Sequence, residues 1–253
     1  MNLLTILSLF VIVFYRKKVL FLEGCMSVLF LLFCAVGMAI QGAFILVERK
    51  GDFKRALILK TIASVVFIIA GFYCMPNCTD SRRAVLVVAG LIMGGVGDFF
   101  LNLQFVVKEE LAQTIFVVGG VAFYAGHIIY IVSMAPFERE VLLSSLVITA
   151  IITGILLIFV YKGKDIPIGL KIFGFFYIGA VALLTMVALA RYMLNPASTA
   201  SIIVAVGAAL FTASDVVLIY DMFGEKKPWM RTANLVLYYA SQLIIASSLL
   251  FVM

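Results

Sequence analysis

The sequence predicts an all-α fold, a polytopic transmembrane bundle of about eight membrane-spanning helices preceded by a short apolar N-terminal segment. The first observation is composition: 65% of the 253 residues are hydrophobic and 13% are charged, whereas soluble domains carry about 25% charged residues. The second is the mean hydropathy of +1.21. The third is a series of apolar runs of roughly 20 residues, the length that one helix needs to cross a 30 Å hydrocarbon core. Together they exclude a soluble protein.

The apolar runs are separated by short segments that carry charges, proline or asparagine, and these segments set the predicted helix ends. No soluble domain, repeat of fixed period or low-complexity stretch interrupts the series. We therefore expect two parts, an apolar and basic segment (1–24) and a single eight-helix transmembrane domain (25–253). The predicted spans are about 25–47, 56–75, 84–106, 112–134, 141–161, 168–190, 199–220 and 232–253.

Residues 1–15 form a further apolar run, and the basic cluster Arg16, Lys17 and Lys18 follows it. A secretory signal has its positive charges before the apolar run and a small-residue cleavage site after it, so this segment is not predicted to be one. An interfacial helix and a short ninth span are both open interpretations. The net charge of +6 falls in loops beside the spans, which indicates attraction to anionic lipid headgroups, with no nucleic-acid partner.

The four cysteines do not form a metal motif. Cys74 and Cys78 are separated by three residues across a Pro-Asn turn, and a zinc site would need further His or Cys ligands. The single histidine, His127, lies far along the chain. We predict no metal and no cofactor. Free thiols are the favoured state of Cys74 and Cys78, and a disulfide on an oxidising face is the alternative.

Two carboxylates, Asp98 and Asp215, lie well inside apolar runs that are long enough to cross a bilayer. An ionisable side chain at hydrocarbon depth costs a few kcal/mol by insertion scales. Such residues usually face a partner or a wet cavity, and they mark function more often than architecture. Asp98 and Asp215 are therefore the predicted catalytic residues, and a purely helix-joining role is the less favoured reading.

Face B is defined as the membrane surface at which the first span ends. If the helices alternate through the bilayer at a rise of 1.5 Å per residue, Lys60 lies roughly 6 Å, Asp215 about 8 Å and Asp98 about 13 Å from face B. Gln242 lies about 15 Å and His127 about 22 Å from it by the same count. Most of these polar side chains share one half of the membrane, which predicts a cavity that opens to face B.

Several polar residues of the last helix lie on one face of it. Asn234, Tyr238 and Gln242 repeat every four residues and therefore form one stripe. We predict that these three residues and Tyr239 contact the substrate. The alternative is that the stripe holds helices together by hydrogen bonds and that Tyr239 is a core aromatic residue.

Lys60 and His127 are the remaining predicted substrate-binding residues. Lys60 is near a helix end, so one alternative is that its ammonium snorkels to the lipid headgroups. His127 lies on a face of the fourth helix with Phe123 and Tyr130. The alternative for His127 is a buried hydrogen bond between helices.

Four motifs in a fixed order carry a resemblance to a known family. They are Gly97-Asp98-Phe-Phe-Leu101, Phe116-Val-Val-Gly-Gly-Val-Ala-Phe-Tyr-Ala-Gly-His-Ile-Ile-Tyr130, Ala209-Leu-Phe-Thr-Ala-Ser-Asp215 and Tyr238-Tyr-Ala-Ser-Gln242. Over about residues 25–253 the chain resembles the YhhN/TMEM86 family, which includes lysoplasmalogenases, integral membrane hydrolases that cleave the vinyl ether bond of lysoplasmalogens. Lys60-Thr61 departs from the Lys-Pro pair of that family by carrying threonine in place of proline.

The resemblance implies a hydrolase of the ether-bond type whose substrate is a lysophospholipid, a lysoplasmalogen with an ethanolamine or choline headgroup. Hydrolysis would give a fatty aldehyde and a glycerophospho-alcohol. The reaction passes through an oxocarbenium-like cation, a problem that glycosidases solve with two carboxylates. We expect Asp98, as the deeper carboxylate, to be the general acid and Asp215 the base or cation stabiliser, with the exchanged assignment open.

The other predicted site residues have supporting roles in this scheme. Lys60 would bind the phosphate of the substrate as a point charge. His127, Tyr239 and Gln242 would position water, the glycerol hydroxyl or the aspartates. The apolar walls would hold the alkenyl chain.

A transporter is the competing function. In this alternative the protein is not an enzyme but moves lysolipids or small molecules, and the two aspartates relay protons. Gly-Asp in the third span and Ser-Asp in the seventh hint at the internal repeat that many transporters have. Under either function we expect an integral protein of a bacterial inner membrane or a eukaryotic endomembrane.

Overall fold

The computed structural model describes residues 24–135, 137–161, 167–223 and 227–251. Within these ranges the chain forms eight long α-helices and no strand, and every one of these helices is apolar and long enough to cross a membrane. The predicted polytopic all-α class is therefore confirmed, and the protein is an integral membrane protein. The apolar run 1–15 lies outside the described residues. The helices are α1 (Gly24–Arg49), α2 (Phe53–Cys74), α3 (Ser81–Leu103), α4 (Glu109–Ser133), α5 (Arg139–Tyr161), α6 (Ile168–Leu194), α7 (Thr199–Phe223) and α8 (Pro228–Ser247).

The helix starts follow local chemistry. Gly51, in the link between α1 and α2, has a φ of 79°, a left-handed conformation that glycine adopts without steric cost. Asp52 and Asp80 cap α2 and α3 by accepting a hydrogen bond from a backbone N–H of the first turn, as N-cap carboxylates do. Pro228 opens α8 four residues before the predicted start, because proline fits the first turn of a helix.

Several helix ends differ from the prediction, among them those of the helices that carry Asp98, Asp215 and Gln242. α3 stops at Leu103 instead of 106, and α7 continues past 220 to Phe223. The last helix, predicted to run to 253, ends at Ser247 and is followed by a short 3₁₀ helix, Ser248–Leu250. These shifts matter because the depth of each polar side chain was counted from the helix ends.

α8 is the centre of the bundle. It packs against α1, α2, α3 and α7, and of the eight described helices it is the most buried, whereas α5 is the least. The polar stripe of α8 therefore faces protein.

Close packing around α3 depends on glycine. A Cβ on Gly90, Gly94 or Gly97 would collide with Tyr130, Gln242 or Phe123 respectively. Small residues let neighbouring helices approach closely here.

Face A is the surface of the bundle opposite face B. A buried arginine stabilises the bundle there by joining two segments of the chain. The guanidinium of Arg83, near the start of α3, donates to the backbone oxygen of Ser248 at 3.0 Å, to its Oγ at 2.9 Å and to the backbone oxygen of Phe251 at 3.3 Å. Cys74 and Cys78, at the same end of the bundle, are free thiols, as predicted.

Candidate functional site

A polar cavity of about 410 Å³ lies among the face B halves of α2, α3, α7 and α8. Asp98 of α3 and Asp215 of α7 both line it and are both buried. The two carboxylates predicted to be functional thus share one cavity. The complete lining is Lys60, Asp98, Leu101, Asn102, Phe123, Tyr177, Ser214, Asp215, Leu218, Arg231, Asn234, Leu235 and Tyr238.

Lys60 is the cationic partner of Asp98. Its Nζ lies 3.3 Å from Asp98 Oδ1, and the ammonium also lies 4.6 Å from the centroid of the Tyr238 ring, within the range of a cation–π contact. The Lys60 side chain is 1% exposed, so it does not snorkel to the surface. A buried charge of this kind is tolerated when it is paired.

A chain of hydrogen bonds through α8 ends at the other oxygen of Asp98. The Tyr130 hydroxyl donates to Gln242 Oε1 at 2.7 Å, and Gln242 Nε2 donates to the Tyr238 hydroxyl at 3.1 Å. Tyr238 in turn donates to Asp98 Oδ2 at 3.0 Å, and Ser64 Oγ lies 2.5 Å from the same oxygen. Because Tyr238 accepts from the amide, its single proton is directed at Asp98.

Asp215 has a different set of neighbours. The Tyr177 hydroxyl donates to Asp215 Oδ2 at 3.1 Å, and His127 Nε2 lies 3.4 Å from the same oxygen. His127 Nδ1 lies 2.5 Å from the backbone oxygen of Phe123, and since a carbonyl only accepts, Nδ1 carries a hydrogen. The neutral ring then presents an unprotonated Nε2 to Asp215.

The contact between His127 and Asp215 corrects the predicted depths, which separated them. α4 begins at face B and α7 ends there, and side chains lean towards the N-terminus of their own helix. His127 therefore leans towards face B and Asp215 leans away from it, and they meet. Counted from the observed helix ends, Asp98 is five residues from the end of α3 and Asp215 is eight from the end of α7. The prediction that Asp98 is the deeper carboxylate stays a prediction.

Only some of the residues predicted on α8 to contact the substrate line the polar cavity. Asn234 and Tyr238 line the cavity, and Asn234 Nδ2 donates to the backbone oxygen and to Oγ of Ser214, both at 2.9 Å. Gln242 supports Tyr238 from one turn away. Tyr239 lies outside the cavity lining, and its hydroxyl donates to the backbone oxygen of Ala63 at 2.8 Å, which joins α8 to α2.

Ser64, Tyr177 and Arg231 are among the polar residues at the site that were not predicted from the sequence. Ser64 follows Lys60 by four residues and so shares its helix face. Arg231 precedes Asn234 by three residues, so it extends the α8 stripe by one turn. These two spacings could have found both residues. Tyr177 had no comparable signal, because it lies in a helix without charged residues near it.

An apolar cavity of about 570 Å³ adjoins the polar one. Four residues line both: Leu101, Phe123, Tyr177 and Leu218. The remaining walls come from α4, α5, α6 and α7 and include Phe116, Gly120, Tyr161, Leu170, Phe173, Gly174, Ile178 and Ile219.

The sequence of the bundle was also compared with known proteins. A family model described as the YhhN family matches residues 55–249, a range that contains every predicted site residue and α3 to α8. No curated protein and no solved structure matches the chain.

Proposed function

The chain belongs to the YhhN family, and from this we propose that it is a membrane hydrolase that cleaves the vinyl ether bond of lysoplasmalogens. The products are a fatty aldehyde and a glycerophospho-alcohol that carries ethanolamine or choline. One observation carries the proposal: two buried carboxylates line a polar cavity that shares four wall residues with an apolar cavity.

The joined cavities suit a lipid with one chain. The alkenyl chain would occupy the apolar cavity, and the glycerophospho end would occupy the polar one. The vinyl ether group lies between those two parts of a lysoplasmalogen, so it would sit where the cavities share Tyr177 and Leu218. Ligand sites commonly combine apolar walls with a few polar groups in this way.

The reaction requires an acid and a base in turn. The acid transfers a proton to the β-carbon of the vinyl ether, and the positive charge moves to the adjacent carbon and the ether oxygen as an oxocarbenium ion. Water adds to that carbon and gives a proton to the base, which leaves a hemiacetal. The hemiacetal collapses when its ether oxygen is protonated and its hydroxyl loses a proton, which releases aldehyde and alcohol.

The hydrogen bonds favour the exchanged assignment, with Asp215 as the acid. His127 Nε2 faces Asp215 Oδ2 at 3.4 Å, and Tyr177, the hydroxyl partner of Asp215, borders the apolar cavity. The β-carbon is on the chain side of the ether oxygen, so it would face this carboxyl. Asp98 faces an ammonium and a donating tyrosine, an arrangement that suits a carboxylate which stabilises the cation and accepts the proton of water.

Other residues would act through these two. His127 would pass to Asp215 the proton that the hemiacetal hydroxyl loses, and Gln242 would hold the Tyr238 hydroxyl towards Asp98. Lys60 would hold Asp98 in place, and its predicted contact with the substrate phosphate stays a prediction. Asn234 is placed to orient the glycerol hydroxyl or water.

The test is incubation of the purified protein in detergent with an alkenyl lysolipid, followed by measurement of free fatty aldehyde. We expect release by the wild type and its loss in Asp98→Asn and in Asp215→Asn. Both ethanolamine and choline substrates are needed, because a single headgroup could be the wrong one. Folded wild-type protein that releases no aldehyde from either substrate, yet moves lysolipid across liposomes, would replace this proposal with the transporter.

A further inference from the structure

We propose that Glu48 and Arg231 bind the zwitterionic headgroup of the lysolipid, with the guanidinium on the phosphate and the carboxylate on the ammonium. The identity of the bound lipid as a substrate rests on the proposed function. The inference adds the site that selects the headgroup.

The Arg231 guanidinium and the Glu48 carboxylate make a bidentate contact. Arg231 Nη2 lies 2.7 Å from Glu48 Oε1, and Arg231 Nε lies 3.2 Å from Glu48 Oε2. The contact joins the end of α1 to the start of α8. Arg49 reinforces the junction by donating to Thr232 Oγ1 at 2.8 Å. A bidentate contact of this kind orients both groups.

The position of the pair is at the mouth of the polar cavity. Arg231 lines the cavity, and its side chain is 34% exposed while that of Glu48 is 12% exposed. Lys60, the other cation that lines the cavity, is 1% exposed and faces Asp98. Of these two cations, Arg231 is the one that a phosphate arriving from face B would meet first.

The pair keeps binding capacity on both sides. A guanidinium has five N–H donors, and the contact with Glu48 uses two of them, which leaves three for phosphate oxygens. The Glu48 oxygens retain lone pairs for an ammonium. A zwitterionic headgroup matches this neutral pair charge for charge. A headgroup with a phosphate and no ammonium would leave an uncompensated negative charge beside Glu48.

The experiment measures binding by isothermal titration calorimetry with the full chain in detergent. The probes are lysolipids with a saturated ether chain, which carry no vinyl ether bond, and with an ethanolamine, choline or glycerol headgroup. We expect the wild type to bind the first two about tenfold more tightly than the third. Glu48→Gln should bring the three Kd values to within about threefold, and Arg231→Gln should weaken all three about tenfold.

Two further variants guard against a folding artefact. The double variant Glu48→Arg with Arg231→Glu keeps an ion pair at the junction but reverses it, and we expect about tenfold weaker binding of the choline lipid. Arg55→Gln removes a cation that pairs with Asp52 and is 80% exposed, outside the cavity, so its three Kd values should equal those of the wild type.

The outcomes separate the two proposals. Equal binding of all three headgroups by the wild type, or full discrimination by Glu48→Gln, would overturn the headgroup site whether or not aldehyde is released. Discrimination that depends on Glu48, in a protein that hydrolyses no vinyl ether, would support the headgroup site and remove the hydrolase.

Discussion

Asp98 and Asp215 line the same cavity, but their surroundings differ in kind. Asp98 lies between an ammonium and two hydroxyls, and Asp215 lies between one hydroxyl and an imidazole nitrogen. The sequence around both residues is equally apolar, so the difference arises from the helices packed against them. Two chemically identical groups are thereby given the means to do different tasks. Environment separates acid and base roles in this way in two-carboxylate enzymes.

The largest expected effect would show whether both carboxylates are needed. Asp98→Asn and Asp215→Asn should each lower the rate of aldehyde release by about 10²–10⁴-fold, the range for a general acid or base. The initial rate of aldehyde formation is the measurement. Asp221→Asn, on α7 six residues beyond Asp215, is the matched control and should keep the wild-type rate. A full rate in either test variant would end the two-carboxylate mechanism.

The next largest effect is expected on the free energy of unfolding, which should differ between a variant beside Asp98 and a variant beside Asp215. Lys60→Met leaves the Asp98 carboxylate buried without its cation and should cost about 3–5 kcal/mol. His127→Leu removes the ring's contacts with Asp215 and with the backbone oxygen of Phe123 and should cost less, about 1–3 kcal/mol. Unfolding in detergent measures both costs.

The double variant Lys60→Met with Asp98→Asn is the control for this comparison. It removes both charges of the pair, so it should be more stable than Lys60→Met alone. If Lys60→Met costs no more than His127→Leu, the Asp98 site holds no strong ion pair.

Single hydroxyl deletions should sharpen the assignment of roles. Tyr238→Phe and Tyr177→Phe each remove a donor to one carboxyl group, and each should lower kcat about 10- to 150-fold, given about 1.5–3 kcal/mol for a hydrogen bond to a charged group. The two variants should move opposite limbs of the pH profile of kcat, since the proposed mechanism makes one carboxyl the acid and the other the base. Tyr220→Phe, on the exposed side of α7, should move neither limb. Movement of the same limb by both variants would contradict separate roles.

The smallest expected effect concerns the length of the alkenyl chain of the lipid. Leu170→Phe narrows the apolar cavity. Tyr177 lines that cavity and also donates a hydrogen bond to Asp215. It should lower kcat/KM for an 18-carbon relative to a 12-carbon alkenyl lipid by about fourfold, if one methylene of about 0.8 kcal/mol is displaced. Ile172→Phe, on the same helix and 53% exposed, is the control. An unchanged chain-length ratio in Leu170→Phe would remove the argument that the β-carbon faces Asp215.

Periodicity and composition were sufficient to predict the helices and to single out the two aspartates. Apolar length determines where a helix crosses, and a lone carboxylate in such a run is conspicuous whatever surrounds it. The partners were harder, because hydropathy carries no information on the rotation of one helix against another. Tyr177 illustrates this: nothing beside it in sequence is charged, and its role exists only because α6 packs against α7.

Depth was the weakest inference, and His127 shows why. A count of residues gives the position of a Cα atom and ignores the direction in which the side chain leans. In two antiparallel neighbouring helices the side chains lean in opposite directions along the bilayer normal. Two side chains whose Cα atoms lie at different depths can therefore still touch. The ends of α3 and α7 also differ from the predicted ends by three residues each, which changes a counted depth by about 4.5 Å.

α8 is the least apolar of the eight described helices and also the most enclosed. A ribosome delivers it to the membrane after α1 to α7, so the earlier helices must leave an opening wide enough to admit it. Until α8 docks, Asp98 lacks the Tyr238 hydroxyl and Arg83 lacks the oxygens of Ser248. The polar cavity is complete only when α8, the last of the eight described helices to be synthesised, has joined the bundle.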